Sequence, residues 1–123
     1  MLKQLMHQLK SRKNIIILTT LVPYVACKKM WINYLIISHC SLLCEAGTLD
    51  PKKVKGKILV CLRGDNARID KGQQALLAGA VGMVLANAQE NGNELLADPH
   101  LLPASHINFT DGADLFRDVN STK

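Results

Sequence analysis

The feature that most constrains this fold is an uninterrupted apolar run near the middle of the chain, inside GKILVCLRG at residues 56–64. Ile58 to Leu62 is apolar without alternation, whereas a strand with one face in water would alternate apolar and polar residues. The run is therefore typical of a strand covered on both faces, as in a parallel sheet. Gly64 then permits a turn out of the strand.

A helical pattern follows the run in DNARIDKGQQALLAGA, and a second apolar segment comes after it. Four residues lie near one face at helical spacing: Ile69, Gly72, Leu76 and Gly79. Asp65 or Asn66 can cap the start of this helix, and Gly79 can end it. With a strand at 81–87, the pattern predicts a βαβ unit over 57–87, whose parallel strands need a helical crossover.

Turns and a second helix flank this unit. GTLDPKKVKGK reads as a loop because Pro51 presets a turn, and AQENGNELLADPHLLP reads as a polar loop. ASHINF is a predicted strand, and Thr110 or Asp111 can cap a short final helix. Three apolar residues share a face of that helix: Leu115, Phe116 and Val119. The fold class predicted from the pattern is α/β.

The formal net charge of +5 is distributed unevenly. Residues 1–44 contain six of the basic residues and no acidic one, whereas residues 45–123 are nearly neutral. A nucleic-acid surface needs clustered Lys and Arg with stacking aromatics, and the body of the chain has only a run of lysines between residues 52 and 57. We therefore do not expect nucleic-acid binding.

The basic residues belong to an N-terminal arm, residues 1–43, in which MLKQLMHQLKSRK precedes the apolar stretch NIIILTTLVPYVAC. A basic segment before a short apolar run matches a secretory signal peptide, but Tyr24 would stand where a small residue is wanted for cleavage after Ala26. The run is too short to span a bilayer, and Pro23 interrupts it. A signal peptide, a membrane-contacting anchor and non-native sequence all remain open.

The candidate chemical sites have simpler structural interpretations. Cys61 lies within an apolar run, whereas a nucleophilic cysteine needs an electropositive, accessible setting, so a buried or bridged cysteine is favoured. Cys40, Cys44 and His39 are neighbours, but His100 and His106 have no cysteines at metal-site spacing. The glycines fit neither phosphate-loop nor dinucleotide motifs. We therefore predict no catalytic, metal or cofactor site.

Two asparagines are glycosylation acceptors in form, Asn108 in Asn-Phe-Thr and Asn120 in Asn-Ser-Thr. They matter only if the chain enters the secretory pathway. Two such sites within a short distance, in a cysteine-containing domain, favour an extracellular location.

From Cys44 onward the sequence reads CEAGTLDPKKVKGKILVCLRGDNARIDKGQQALLAGAVGMVLAN, followed later by LPAS. This segment closely resembles the protease-associated (PA) domain of plant subtilisin-like serine proteases. The GTLDP entry, the GKILVCLRG strand, the AGAVG helix end, Asn87 and LPAS occur in the family's order. The similarity extends from Cys44 to about Lys123, roughly two thirds of the chain.

The resemblance implies a non-catalytic module, inserted between the catalytic His and Ser of the protease, that influences substrate access or mediates protein contacts. It implies an α/β fold with a twisted, partly barrel-like sheet flanked by helices. The implied partners are protein or peptide: the parent catalytic domain, a substrate or a second chain. It also implies secretion to the apoplast or cell wall, and a disulfide between Cys44 and Cys61.

The chain also departs from the family. It contains no Asp-Thr/Ser-Gly, His-Gly-Thr-His or Gly-Thr-Ser-Met segment, so no triad can be assigned and we do not expect an enzyme. Residues 1–43 do not resemble the family; we predict that they lie outside the fold and that 44–123 form an incomplete PA domain. The alternative is a fragment of an active secreted serine endopeptidase whose catalytic segments are missing from this chain.

Overall fold

A parallel sheet between two helices forms the body of the protein. The computed structural model describes residues 15–16 and 42–120, with side chains over 42–118. The elements in chain order are β1 (Ile15–Ile16), α1 (Pro51–Val54), β2 (Ile58–Leu62), α2 (Arg68–Leu77), β3 (Gly82–Ala86), a 3₁₀ turn (Gln89–Asn91), β4 (Ala104–Ile107) and α3 (Phe109–Asn120). The strands pair in parallel in the order β1-β2-β3-β4. The predicted α/β class and the βαβ unit formed by β2, α2 and β3 are confirmed.

Both faces of the sheet are covered, which explains why β2 is apolar throughout. Leu59 and Cys61 belong to one buried cluster with Ala75 and Ala78 of α2. Val60, between them, belongs to a second cluster that includes Leu115 of α3. Because alternate side chains of a strand point to opposite faces, these two clusters lie on opposite sides of the sheet.

The buried face of α2 differs from the predicted one. Ile69 and Leu76 are 37% and 41% exposed, whereas Lys71, Gly72 and Ala75 are buried. The helix turns its small residues toward the sheet, because small side chains allow close approach, and the charged head of Lys71 finds hydrogen-bond partners there. Of the predicted face, Gly72 is buried while Ile69 and Leu76 are partly exposed, so apolar spacing alone located the buried side of this helix only in part.

The ends of α2 were predicted in part. Its N-cap is Ala67, which makes no side-chain cap, and neither Asp65 nor Asn66 takes that role. Asn66 instead bonds to Leu43 and Lys71. At the other end Gly79 has φ of +88°, the left-handed conformation expected of a glycine that ends a helix.

The final helix begins at Phe109, two or three residues earlier than a cap at Thr110 or Asp111 predicts. The side-chain oxygen of Asn108 accepts a hydrogen bond from the backbone N–H of Asp111 at 2.8 Å, so Asn108 satisfies the first turn in place of Thr110 or Asp111. Gly112 faces the sheet, and a Cβ placed on it would lie 3.0 Å from the Cβ of Ala86. The missing side chain lets α3 lie close against β3.

The loop before β2 contains one helical turn, α1. Asp50 caps it by accepting a hydrogen bond from the backbone N–H of Lys52 at 3.0 Å, and Pro51 occupies the first helical position. Val54, at the end of the turn, is fully buried in the cluster beneath α2. The segment is therefore anchored to the core.

The prediction that residues 1–43 lie outside the fold needs correction at two places. Ile15 and Ile16 pair with Ile58 and Leu59 as a short parallel strand. Leu43 is only 5% exposed. The edge of β2 offers unpaired backbone groups, and an apolar segment of the arm satisfies them.

The described strands form an open sheet, so the barrel-like part of the expectation stays a prediction. Among helices in the part of the chain that the structure describes, none has the length and apolar character needed to cross a bilayer.

Candidate functional site

The carboxyl ends of three parallel strands meet at one edge of the sheet, the usual position of binding sites in open α/β folds. Asn87 directly follows β3 and is 1% exposed. Its side-chain nitrogen donates to the carbonyls of Gly92 and Glu94 at 3.0 and 2.7 Å. One buried amide thus holds the loop after β3 against the sheet.

His106 on β4 extends this network. Its Nε2 lies 2.6 Å from Oδ1 of Asn87, and its Nδ1 lies 3.0 Å from the backbone nitrogen of Leu96. Because the nitrogen of Asn87 already donates to two carbonyls, its oxygen faces the imidazole and accepts a hydrogen bond from it. His106 therefore carries a proton on Nε2, and its Nδ1 lies against the backbone of Leu96, 3.0 Å from the nitrogen and 3.1 Å from the oxygen. The sequence gives no sign of this role, since His106 stands out there only as a histidine without cysteines at metal-site spacing.

Two arginines bind carboxylates of the loop that follows β3. Arg63, just after β2, donates to a carboxylate oxygen of Glu94 at 3.1 Å, with Glu94 largely exposed. Arg68, at the start of α2, makes a two-pronged contact with Asp98 at 2.5 and 3.1 Å. The hydrogen bond from Arg68 holds the pKa of Asp98 below its ordinary value. The better-shielded Arg68 pair is the stronger tether, since exposed pairs contribute little.

These contacts shape a groove of about 440 Å³ beside β4. We define the β4 groove by six of its lining residues: Leu95, Leu96, Asp98, His100, Ser105 and His106. Nδ1 of His100 is buried without a hydrogen-bond partner, and it lies 2.6 Å from where a Cβ on Gly72 would stand. The glycine in α2 thus makes room for the imidazole at the back of the groove.

The disulfide lies at the entry to the domain, where Cys44 is joined to the central strand β2. Cys44 and Cys61 are joined, and both are fully buried. Cys61 is therefore bridged, one of the two interpretations left open by its apolar surroundings. A bridged, inaccessible sulfur is not available as a nucleophile.

Lys71 lies beside this entry and is fully buried. Its Nζ donates to the carbonyl of Leu43 at 2.7 Å and to Oδ1 of Asn66. Burial lowers the pKa of Lys71 to about 8, opposed by the carboxylates of Glu45 and Asp65. The sequence does not mark Lys71 as buried, because its position in the helical pattern is typical of a lysine on a solvent-exposed helix face.

The remaining predicted residues are not brought together. Asn108 caps α3, and Asn120 lies at the end of that helix, where side chains are not described. His39 and Cys40 lie outside the described residues. Within residues 42–118, no group of three or more His, Cys, Asp or Glu side chains is arranged to hold a metal ion.

The fold and these sites define a class: an α/β module with a buried disulfide at its entry and a polar network that orders a groove at the edge of its sheet. Residues 21–115 match the PA domain family, so the chain belongs to that family. The matched range begins within the arm that we expected to lie outside the domain.

Plant proteases are similar to this chain over the same region. Subtilisin-like protease SBT5.4 of Arabidopsis thaliana is 65% identical over 83 residues, 68% of this chain and 11% of that protein. SBT5.3 is 53% identical over 81 residues, 66% and 10% respectively, and SBT1.7 is 60% identical over 65 residues, 53% and 9%. The chain thus spans about a tenth of the length of these relatives. The similarity identifies a PA domain of plant subtilisin-like proteases, which is not their catalytic part.

Proposed function

We propose that this PA domain serves a subtilisin-like serine protease by binding protein or peptide in the β4 groove and thereby influencing access of substrates. Catalysis in the parent protein belongs to segments outside the PA region. The observation that carries the proposal is the network through Asn87 and His106, which fixes the groove's loop to the sheet without filling the groove.

A preordered surface binds with a smaller loss of conformational freedom than a mobile one. Leu95, at the groove, is 55% exposed and presents apolar area to a partner. Asp98 and Ser105 add polar groups that can orient a peptide. A short apolar contact flanked by polar groups suits a polypeptide better than a cofactor.

A matched pair of variants tests the proposal in the setting of the parent protease. The PA region of Arabidopsis SBT5.4 would be replaced by the matching residues of this chain, and cleavage of a protein substrate and of a short peptide would be compared. We expect Leu95→Gln to lower cleavage of the protein substrate about fivefold, the effect of roughly 1 kcal/mol of lost contact, while the short peptide is cleaved as before.

Leu77→Gln is the control, because Leu77 is also exposed, at 71%, but does not line the groove. Equal effects of the two variants, or no effect of Leu95→Gln on either substrate, would contradict the proposal.

We further propose an extracellular location in the apoplast or cell wall. The support is the similarity to plant subtilisin-like proteases, the buried disulfide and the two acceptor asparagines, Asn108 and Asn120. A fall in mass after peptide N-glycosidase treatment of the plant-expressed chain would support entry into the secretory pathway, and a fully cytosolic product would refute it.

A further inference from the structure

A buried turn at the entry to the domain lies directly before the first cysteine of the disulfide. Leu43 is 5% exposed and packs over Gly64, where a Cβ would stand only 2.8 Å from a methyl group of Leu43. Cys44 follows with φ of +53°, a conformation that non-glycine residues seldom adopt. Both cysteines are fully buried.

Two side chains hold the turn by its backbone. Nζ of Lys71 donates to the carbonyl of Leu43 at 2.7 Å, and the side-chain nitrogen of Asn66 donates to the same oxygen at 3.3 Å. Asn66 also accepts from Lys71, so the three groups form a closed set of contacts. A hydrogen bond from an ammonium group in a buried place is stronger than a neutral one.

We propose that Lys71 protects the Cys44–Cys61 disulfide from reduction. By binding the carbonyl of Leu43, it keeps this turn closed. A dithiol reduces a disulfide in two steps. Its thiolate attacks one sulfur, forming a mixed disulfide and releasing the other cysteine as a thiolate; its second thiol then displaces the first cysteine. The protein gains two thiols, and the dithiol leaves as a cyclic disulfide.

Attack requires a path to a buried sulfur, so the turn at Leu43 must first open. Opening breaks the two hydrogen bonds that Lys71 and Asn66 donate to the carbonyl of Leu43, which lowers the population of the open state. Lys71 therefore slows the reduction of the disulfide by lowering the population of the open state.

The test measures the reduction rate of the full chain by dithiothreitol at pH 7, with quenching by alkylation and mass spectrometry of the peptides containing Cys44 and Cys61. Lys71→Met removes the donor while keeping an apolar stem of similar length. We expect it to speed reduction about tenfold or more, the effect of one lost charge-assisted hydrogen bond. Asn66→Ala should speed it by a smaller factor, and Lys52→Met, at an exposed position, should leave it unchanged.

Faster reduction could also follow from lower overall stability. Leu115→Ala separates the two causes, because Leu115 is buried in the cluster on the opposite face of the sheet. When each rate is compared with the variant's measured free energy of unfolding, Lys71→Met should speed reduction far more than its change in stability accounts for, whereas Leu115→Ala should speed it by no more than its own loss of stability accounts for. Equal acceleration by both variants, or an unchanged rate in Lys71→Met, would overturn the proposal.

Discussion

At the scale of single residues, Lys71 shows how one buried charge couples pH to stability. Its pKa is lowered to about 8, mainly because burial disfavours the charged form, while Glu45 and Asp65 favour the charge. The carbonyl of Leu43 and the amide oxygen of Asn66 offset part of the desolvation. The ammonium form is therefore tolerated at neutral pH but less stable than it is in water.

The free energy of unfolding should rise with pH through the alkaline range. The unfolded state keeps the Lys71 proton up to its ordinary pKa of 10.5, whereas the folded state releases it near pH 8, and stability rises wherever the unfolded state binds more protons. The contribution is present above pH 10.5, is lost as pH falls through 8, and amounts to about 3 kcal/mol at most.

Urea unfolding of the full chain and of Lys71→Met between pH 7 and 10.5 measures this contribution. Other titrating groups are common to both proteins, so the difference in slope isolates Lys71. Parallel curves for the two proteins would show that Lys71 titrates alike in the folded and unfolded states.

At the scale of elements, α2 shows which features of a helix can be read from local sequence. Its end was predicted because Gly79 supplies the left-handed residue that stops a helix, a local requirement of the backbone. Its buried face was not fully predicted, because Lys71 is a charged residue that is buried only through its contacts with Leu43 and Asn66. Spacing gives a helical period, but partners decide which side faces the core.

Gly79→Ala should destabilise the protein by about 1 kcal/mol or more. Alanine is strained at φ of +88°, and its Cβ would lie 3.3 Å from the side chain of Lys55. Thermal or urea unfolding measures the loss. Leu77→Ala, two residues earlier and 71% exposed, is the control, with a change expected within about 0.5 kcal/mol. A neutral Gly79→Ala would mean that the helix can end in another way.

At the scale of the whole molecule, the disulfide joins the domain entry to the central strand. Cys44 and Cys61 are 17 residues apart, and the segment between them carries α1, whose Val54 is buried in the same cluster as both cysteines. The link therefore closes a loop that is already packed, and its main effect falls on the unfolded chain.

Replacing both cysteines, as Cys44→Ala with Cys61→Ala, should lower the free energy of unfolding by about 3 kcal/mol. The dependence of that free energy on urea concentration should become steeper, because the unfolded chain is more extended without the link. Val54→Ala is the matched control: it removes buried volume from the same cluster without cutting a covalent link, so it should lower stability and leave the urea dependence unchanged. An unchanged urea dependence in the double variant would contradict the unfolded-state explanation.

Much of the scaffold follows from local sequence. The apolar run of β2, the βαβ order and the turn glycine at 79 reflect backbone and burial requirements that act within a few residues. The groove network does not follow from local sequence, because Asn87 and His106 are 19 residues apart and neither residue is distinctive within its own segment. The parallel pairing of β3 with β4 brings them together.

The sequence by itself determined the class of the fold and the family, because apolar periodicity, turn residues and an ordered set of motifs are written along the chain. The tertiary structure alone decided that Lys71 is buried, that residues 15 and 16 join the sheet edge, and that His106 and Asn87 are joined by a hydrogen bond. These depend on distances between residues far apart in sequence, and burial of a polar group becomes favourable only when its partners arrive with it.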